Sequence, residues 1–295
     1  MELFLQQFIS GIATGSLFAI LALAIVLIYR STGVLNFAQG QMSMFTTFIT
    51  WSALGIGLGF WPAFFLTLMA AMAMGAVVER LIVRRIEGTS ELNSLIVALG
   101  LFLVFDGLAL YIWGPLPRGF GPFSVFSGSP SCAGDICIGR LSLGILAVAG
   151  IIMASLFVLF QRTGFGLAMR ATAQNRLASR LVGIPVERML SIGWGLGTAV
   201  GAVAGILVAQ SLGLDTGTMF SVLLFALAAA VLGGLDSPVG AVVGGLAIGV
   251  VKNLAGTYVP SNVGGTDLTV AFALIVLVLM VRPTGIFGRP PQRRV

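Results

Sequence analysis

Asp106 is the acidic residue that lies deepest inside a long apolar segment of the chain, LIVALGLFLVFDGLALYIWG. A charged carboxylate at the centre of a membrane costs a few kcal/mol when it faces lipid. Asp106 must therefore face the interior of a helix bundle or remain protonated. It could line a pathway for a polar solute, take part in proton coupling, or hydrogen-bond to a neighbouring helix, and one carboxylate is a thin basis for proton coupling. The sequence has no histidine, which excludes Ser-His pairs, histidine zinc helices and histidine proton relays.

A second candidate is the polar block at residues 161–188, which carries five arginines and one carboxylate in an otherwise apolar chain. Phe165 to Val182 is predicted to be a short amphipathic helix, which Gly183 ends in a left-handed conformation and Pro185 prevents from continuing. At 100° per residue, this helix has an apolar side and a polar side. The apolar side carries Leu167, Ala171, Ala178, Leu181 and Val182. The polar side carries Thr172, Arg176, Ser179 and Arg180.

This helix has two interpretations. It could lie on anionic lipid headgroups, or it could dock a cytoplasmic partner. Lipid-anchoring helices normally bury bulky Leu, Phe or Trp side chains. The small residues here therefore favour docking: Ala168, Ala171, Ala173 and Ala178.

The composition indicates which elements must hold these residues. Hydrophobic residues make up 58% of the chain, charged residues 9%, and the mean hydropathy is +1.07, which is typical of a polytopic membrane protein. We predict an all-α helix bundle of about eight or nine spans in one transmembrane domain, 1–295. The second, seventh and eighth segments contain glycine and polar residues that suit short, broken or re-entrant helices. The predicted segments are 8–28, 38–57, 60–79, 93–113, 142–160, 189–209, 218–234, 239–255 and 266–281.

The orientation follows from the arginines, because Lys and Arg in short loops are retained on the cytoplasmic side. Basic residues follow the third, fifth and last segments, so block 161–188 and the C-terminus are predicted to be cytoplasmic. The N-terminus and the loop 114–141 are then extracytoplasmic, with Arg118 and Arg140 as exceptions. The net charge of +6 reflects this orientation and requires no nucleic-acid partner.

Both cysteines, Cys132 and Cys137, fall in the predicted outer loop. In an oxidising compartment they could form a disulfide that orders this loop, and the alternative is two free thiols. A metal site is not expected, because the loop offers only Asp135 as a further ligand.

Glycines recur on one face of two segments, at Gly193, Gly197, Gly201 and Gly205, and again at Gly240, Gly244, Gly245 and Gly249. Small residues let helix backbones approach closely in lipid. These stripes predict tight helix packing.

Four stretches of the chain carry a combined signal: GIATGSLFAILALAIVLIYRSTGVLNFAQGQMSMFTTFITW, GFGLAMRATAQNRLASRLVGI, LGGLDSPVGAVVGGLAIGVVKNLAG and RPTGIFG. Together they resemble the permease subunits of branched-chain amino acid ABC importers, and the resemblance runs through nearly the whole chain. The resemblance implies a subunit of the cell inner membrane that binds no cofactor and draws energy from separate ATPase subunits. In agreement, the sequence has no Gly-x4-Gly-Lys-Ser/Thr phosphate loop.

The resemblance also implies partners. A short helix, Arg170 to Gly183 by position, would sit in a cleft of a cytoplasmic ATPase that uses ATP. A second related permease, or a copy of this chain, would complete the pathway, and an extracytoplasmic binding protein would deliver the substrate. The implied coupling residues are Arg170, Ala171, Asn175, Arg176, Ala178, Arg180 and Gly183.

One departure concerns the family's Asn-Phe-Ala-His-Gly-Glu stretch. This chain has Gln39 and Gln41 in place of His and Glu, which removes both titratable groups and keeps their capacity for hydrogen bonds. Asn36, Gln39 and Gln41, with Asp106, are the candidates for lining the pathway. The alternative is that the amides bridge helix ends after Gly33.

The expected substrate is a zwitterionic amino acid with an apolar side chain, since such a solute suits an apolar path with few fixed charges. The alternatives are an ABC permease for urea or short amides, and a secondary amino-acid transporter that works without partners.

Overall fold

The computed structural model describes residues 2–86, 88–120, 126, 131–133, 136–258, 266–282 and 284–288. These residues are almost entirely helical. The helices before the outer loop are α1 (Glu2–Thr32), α2 (Gln39–Gly55), α3 (Phe60–Val78), α4 (Arg84–Ile86) and α5 (Glu91–Trp113). Those after it are α6 (Arg140–Arg162), α7 (Gly164–Gln174), α8 (Arg176–Leu181), α9 (Val186–Leu212), α10 (Thr218–Gly233), α11 (Pro238–Tyr258) and α12 (Thr266–Val281).

Each of the nine predicted segments coincides with one helix. Within the described residues, six helices are long and apolar enough to cross a membrane: Glu2–Thr32, Phe60–Ile86, Leu92–Trp113, Arg140–Arg162, Val186–Leu212 and Pro238–Tyr258. The helices α10 and α12 have 16 residues each, and a helix of that length rises about 24 Å, which is less than a hydrocarbon core of about 30 Å. The predicted all-α membrane bundle is confirmed, and α11 is a continuous helix.

The chain divides into two compact units, one made of residues 1–26, 126–149 and 222–295, and the other of residues 27–125 and 150–221. We call them the first and second units. All of the predicted pathway and coupling residues lie in the second unit.

In the second unit, α9 packs along both α2 and α3. Glycines allow this approach, because a Cβ atom at Gly201 would collide with Gln39 and Ser43, and one at Gly205 would collide with Thr47. The predicted packing of this stripe is therefore confirmed. A buried apolar cluster completes the core, with members Ile28, Ala38, Met42, Val78, Val83, Leu101, Phe105 and Trp194.

In the first unit, the second glycine stripe has the same effect. Gly245 and Gly249 of α11 lie against the backbone of α1 at Ala19 and Gly15. Gly240 and Gly244, on the same helix, approach the backbone of α10. Both stripes are thus sites of close helix contact, as their spacing predicts.

Two features depart from the predicted helix pattern. The first is a π-helical turn, Glu79–Val83, that connects α3 to α4. The second is a short antiparallel ribbon in the outer loop, made of β1 (Ser131–Ala133) and β2 (Ile136–Ile138), in which Cys132 is the register partner of Cys137. This register brings the two cysteine backbones opposite each other, and the disulfide itself stays a prediction. Asp135 lies outside the described residues.

Candidate functional site

The turn between α1 and α2 is held by the first two predicted pathway residues. Asn36 Oδ1 accepts a hydrogen bond from the Ala38 backbone N–H (3.0 Å), and its Nδ2 donates to Gln39 Oε1 (3.2 Å). Gln39 Nε2 in turn donates to the Gly197 carbonyl of α9 (3.2 Å). Both side chains are fully buried. Their hydrogen bonds therefore hold the turn and the start of α2 against the middle of α9, and a pathway role for Asn36 and Gln39 stays a prediction.

The other two pathway candidates meet each other. Gln41 Nε2 donates to Asp106 Oδ1 of α5 at 2.7 Å and to the Thr216 carbonyl at 3.4 Å. Gln41 is 1% exposed, and its Oε1 atom has no hydrogen-bond partner within the described residues. Asp106 is half-buried. The carboxylate thus faces a neighbouring helix inside the second unit, as the cost of a charge in lipid requires.

The loop that supplies Thr216 is fixed at both of its ends. Arg118 and Leu214 exchange two backbone hydrogen bonds of 2.8 Å. Asp215 Oδ1 accepts from the backbone N–H groups of Gly217 and Thr218 at 2.7 Å each, which caps the start of α10. Burial alone would raise the pKa of Asp215, but hydrogen bonds from Thr218 and Gly217 lower it overall. The Thr216 carbonyl is thereby held in place.

Beside this loop, Arg118 packs against aromatic side chains. Arg118 lies over the ring of Trp51, with its guanidinium carbon 4.4 Å from the ring centroid, and donates to the Trp113 carbonyl (2.6 Å). The Trp113 indole N–H donates to Ser52 Oγ (2.7 Å). Arg118, an exception to the charge rule used for orientation, therefore has a local structural role.

The predicted coupling helix, Phe165 to Val182, is not one helix. Thr163 caps α7 by accepting from the Gly166 N–H (3.1 Å), and α7 ends before Asn175, whose backbone is extended. The side chain of Asn175 accepts from the Ala178 N–H (3.0 Å) and so starts α8. The prediction of an unbroken helix was wrong because an asparagine can compete with the helix by capping a new one. Gly183 has a positive φ of 84° after α8, as predicted.

The polar and apolar sides of this segment are arranged in an unusual way. Thr172 and Ser179 are buried, at 2% and 3% exposure. By contrast, large apolar side chains are exposed, and we call them the exposed coupling face: Leu167, Leu177, Leu181 and Val182. The α7–α8 segment thus turns apolar surface outward.

The arginines of the segment have intramolecular partners. Arg176 donates to the carbonyls of Thr32 (3.0 Å) and Ser31 (3.5 Å) at the end of α1. Burial, with a smaller contribution from Arg180, lowers the pKa of Arg176 from its usual value. Arg180 forms a half-exposed ion pair with Glu187 (2.8 Å). Arg170 donates to Gln161 Oε1 (3.3 Å) and to the Gly166 carbonyl (3.4 Å).

Sequence reasoning missed a buried carboxylate close to this segment. Glu79, 1% exposed, pairs with Arg84 (2.9 Å) and accepts from Ser191 Oγ of α9 (2.5 Å). Arg84 also donates to the Glu187 carbonyl (3.1 Å). The available signal was a single glutamate at the end of an apolar segment, five positions before Arg84. The π-helical turn that brings the two together could not be read from that spacing.

Comparisons with known proteins agree over nearly the whole chain. A family model described as branched-chain amino acid transport system, permease component, matches residues 7–281. LivH of Escherichia coli strain K12, a permease protein of a high-affinity branched-chain amino acid transport system, is 30% identical, over 99% of this chain and 98% of LivH. BraD of Pseudomonas aeruginosa, which has the same description, is also 30% identical with the same coverage.

A solved structure supports the fold alone. A chain of PsaBC from Streptococcus pneumoniae, in complex with Fab, matches with a TM-score of 0.52 and 14% identity, over 95% of this chain and 92% of that chain. The sequence comparisons carry the assignment further. The chain belongs to the branched-chain amino acid transport permease family, and it is a membrane-spanning permease subunit of an ABC importer.

Proposed function

We propose that this permease carries branched-chain amino acids across the cell inner membrane by alternating access. ATP hydrolysis in separate cytoplasmic subunits, which bind the α7–α8 segment, drives the cycle. The observation that carries this proposal is the exposed coupling face, in which Leu181 and Val182 are 81% and 76% exposed.

Contact with a protein partner would remove the apolar side chains of this face from water, which is favourable. The segment lies between membrane-length helices α6 and α9 and is rich in arginine, which favours the cytoplasmic side. The hydrogen bonds of Arg176 to the end of α1 hold the segment on the permease, and its outward leucines are free to enter a cleft of the ATPase. Of the seven implied coupling residues, three are half-buried and four are exposed: Arg170, Ala171 and Arg176 against Asn175, Ala178, Arg180 and Gly183.

Arg176 connects the docking segment to the rest of the second unit. Its hydrogen bonds end on the last residues of α1, and the chain continues directly from there into the turn that contains Asn36. A displacement of α8 would therefore pull on the turn that positions Asn36, Gln39 and Gln41. This connection supplies a physical route from the ATPase to the pathway candidates.

The substrate class rests on the relatives and on the site. LivH and BraD are described as permeases of high-affinity branched-chain amino acid systems. A carboxylate beside mostly apolar helices suits a zwitterion with an apolar side chain. A permease for urea or short amides, which carry no ammonium group, is the alternative that a substrate assay must exclude.

The assembly needs further subunits. A second related permease or a second copy of this chain completes the pathway, and an extracytoplasmic binding protein delivers the substrate to the side that carries loop 114–141. The chain itself holds no cofactor, and ATP is bound by the partners. The N-terminus lies outside and the C-terminus inside.

The test is co-purification of the tagged chain in mild detergent, with mass spectrometry of its partners. Wild type should retain the ATPase subunits, and the double variant Leu177→Asp, Leu181→Asp should lose most of them. Asp236→Asn, at an exposed turn between α10 and α11, is the control and should retain them. Equal recovery of ATPase subunits by the double variant would contradict docking at this face.

A further inference from the structure

We propose that Gln41, Asp106 and the Thr216 carbonyl form a binding site for the primary ammonium group of the transported solute. We call these three groups the ammonium site. The inference rests on the proposed transport of amino acids, and it assigns a chemical role to a cluster in which the sequence marked Gln41 and Asp106 as candidates for lining a pathway.

The cluster consists of acceptors arranged around one nitrogen. Gln41 Nε2 reaches both Asp106 Oδ1 (2.7 Å) and the Thr216 carbonyl (3.4 Å). A donor nitrogen at this position can therefore bind the Asp106 carboxylate and the Thr216 carbonyl at the same time. In the structure, the amide of Gln41 occupies the place that an ammonium nitrogen would take.

A third acceptor is available at the same place. Gln41 Oε1 is buried and has no partner within the described part of the chain, and buried polar atoms are seldom left in that state. Withdrawal of the whole Gln41 amide from Asp106 would vacate this place for an arriving donor, and Oε1 could then accept from that donor at its edge. Binding would then satisfy an acceptor that is otherwise unpaired.

The donors of an ammonium group match these acceptors in number and in charge. A primary ammonium has three N–H donors and no acceptor, and its hydrogen bond to a carboxylate is charge-assisted and stronger than that of a neutral amide. Urea or a simple amide would bring a carbonyl acceptor and no charge. The ammonium site therefore favours amino acids over neutral amides.

The surroundings suit an apolar side chain beside the ammonium group. Phe102 lies one helical turn before Asp106 on α5, and Phe220 lies in the first turn of α10, shortly after Thr216. Their rings meet edge to face, with centroids 5.6 Å apart. Phe220 is exposed and Asp106 is half-buried, so a solute can approach from this side and place its hydrocarbon part against the rings.

The experiment is saturation-transfer difference NMR on the full chain in nanodiscs of zwitterionic lipid. The probes are leucine, 3-methylbutylamine, which lacks the carboxylate, and 4-methylpentanoate, which lacks the ammonium group. Empty nanodiscs give the background from partition into lipid. We expect saturation transfer to leucine and to the amine but not to 4-methylpentanoate.

Variants localise the effect. Asp106→Asn should lower the leucine and amine signals about tenfold, because it removes the charge-assisted bond. Asp106→Glu should restore part of both signals, and Asp236→Asn, which changes an exposed carboxylate elsewhere, should leave them unchanged.

Equal signals from leucine and 4-methylpentanoate in wild type, or no effect of Asp106→Asn, would overturn the ammonium site. The comparison of the three probes decides the matter on wild-type protein even if Asp106→Asn fails to fold. No ATPase is present in this measurement. A failure here would therefore leave the ATPase-docking proposal standing, and a failed co-purification would leave this site standing.

Discussion

Arg176 is the residue whose removal best separates coupling from assembly. Replacement by Gln would weaken the hydrogen bonds to Thr32 and Ser31 while leaving the exposed coupling face intact. We expect ATPase subunits to co-purify as in wild type and leucine uptake by the reconstituted complex to fall about tenfold, because helix motion no longer reaches α1.

The matched control for Arg176→Gln is Arg188→Gln, which removes an exposed arginine from the same basic block. Its uptake should stay within about twofold of wild type, as expected for a surface charge. Wild-type uptake by Arg176→Gln would contradict the route from α8 to α1.

Glu79 is expected to contribute to the stability of the fold. Because Glu79 is buried against Arg84 and Ser191, Glu79→Ala should lower the free energy of unfolding by about 2–4 kcal/mol, since it leaves Arg84 without its carboxylate partner. Breaking the half-exposed pair with Arg180→Gln should cost less than about 1 kcal/mol. Thermal unfolding of both variants in detergent checks this difference. Equal losses of stability in the two variants would contradict a larger contribution from the buried ion pair.

At the scale of helices, the glycine stripe of α9 makes a testable contrast. Gly201→Ala would force a methyl group into Gln39 and Ser43, and we expect a loss of about 1–3 kcal/mol from overpacking. Gly150→Ala, on α6, adds a methyl group where the structure has open space and should be neutral or slightly stabilising. Unfolding temperatures compare the two, and a neutral Gly201→Ala would mean that α2 and α9 are not in tight contact.

The outer ribbon gives a second prediction at this scale. Cys132 and Cys137 are directly opposed on antiparallel strands, and opposed residues have Cβ atoms close enough for a disulfide after small adjustments. We expect both cysteines to resist alkylation until a reductant is added, as mass spectrometry of the loop peptide would record. Labelling of both without reductant would establish free thiols.

The positions of the helices could be predicted from the sequence, and their interruptions could not. Runs of apolar residues locate the helices at all nine predicted segments, since length and hydropathy are local properties. The break at Asn175 depends on a choice between continuing one helix and capping another, and tertiary packing decides that choice. The contact of Gln41 with Asp106 joins residues 65 positions apart, and no local pattern encodes it.

At the scale of the whole molecule, the charge distribution predicts the orientation. In a Cys132→Ser, Cys137→Ser background, Arg188→Cys should react with a membrane-impermeant thiol reagent only after the cells are opened, and Arg140→Cys should react in intact cells. The reverse pattern would invert the topology and place the exposed coupling face outside, where no ATPase could reach it.

The most direct test of the account is ATP-driven leucine uptake by proteoliposomes that contain the purified complex and its binding protein. We predict accumulation of labelled leucine that requires ATP and stops when the ATPase subunits are omitted. Leucine accumulation by this chain alone under an ion gradient would contradict the ABC mechanism. Uptake of urea with no uptake of leucine would contradict the assigned substrate.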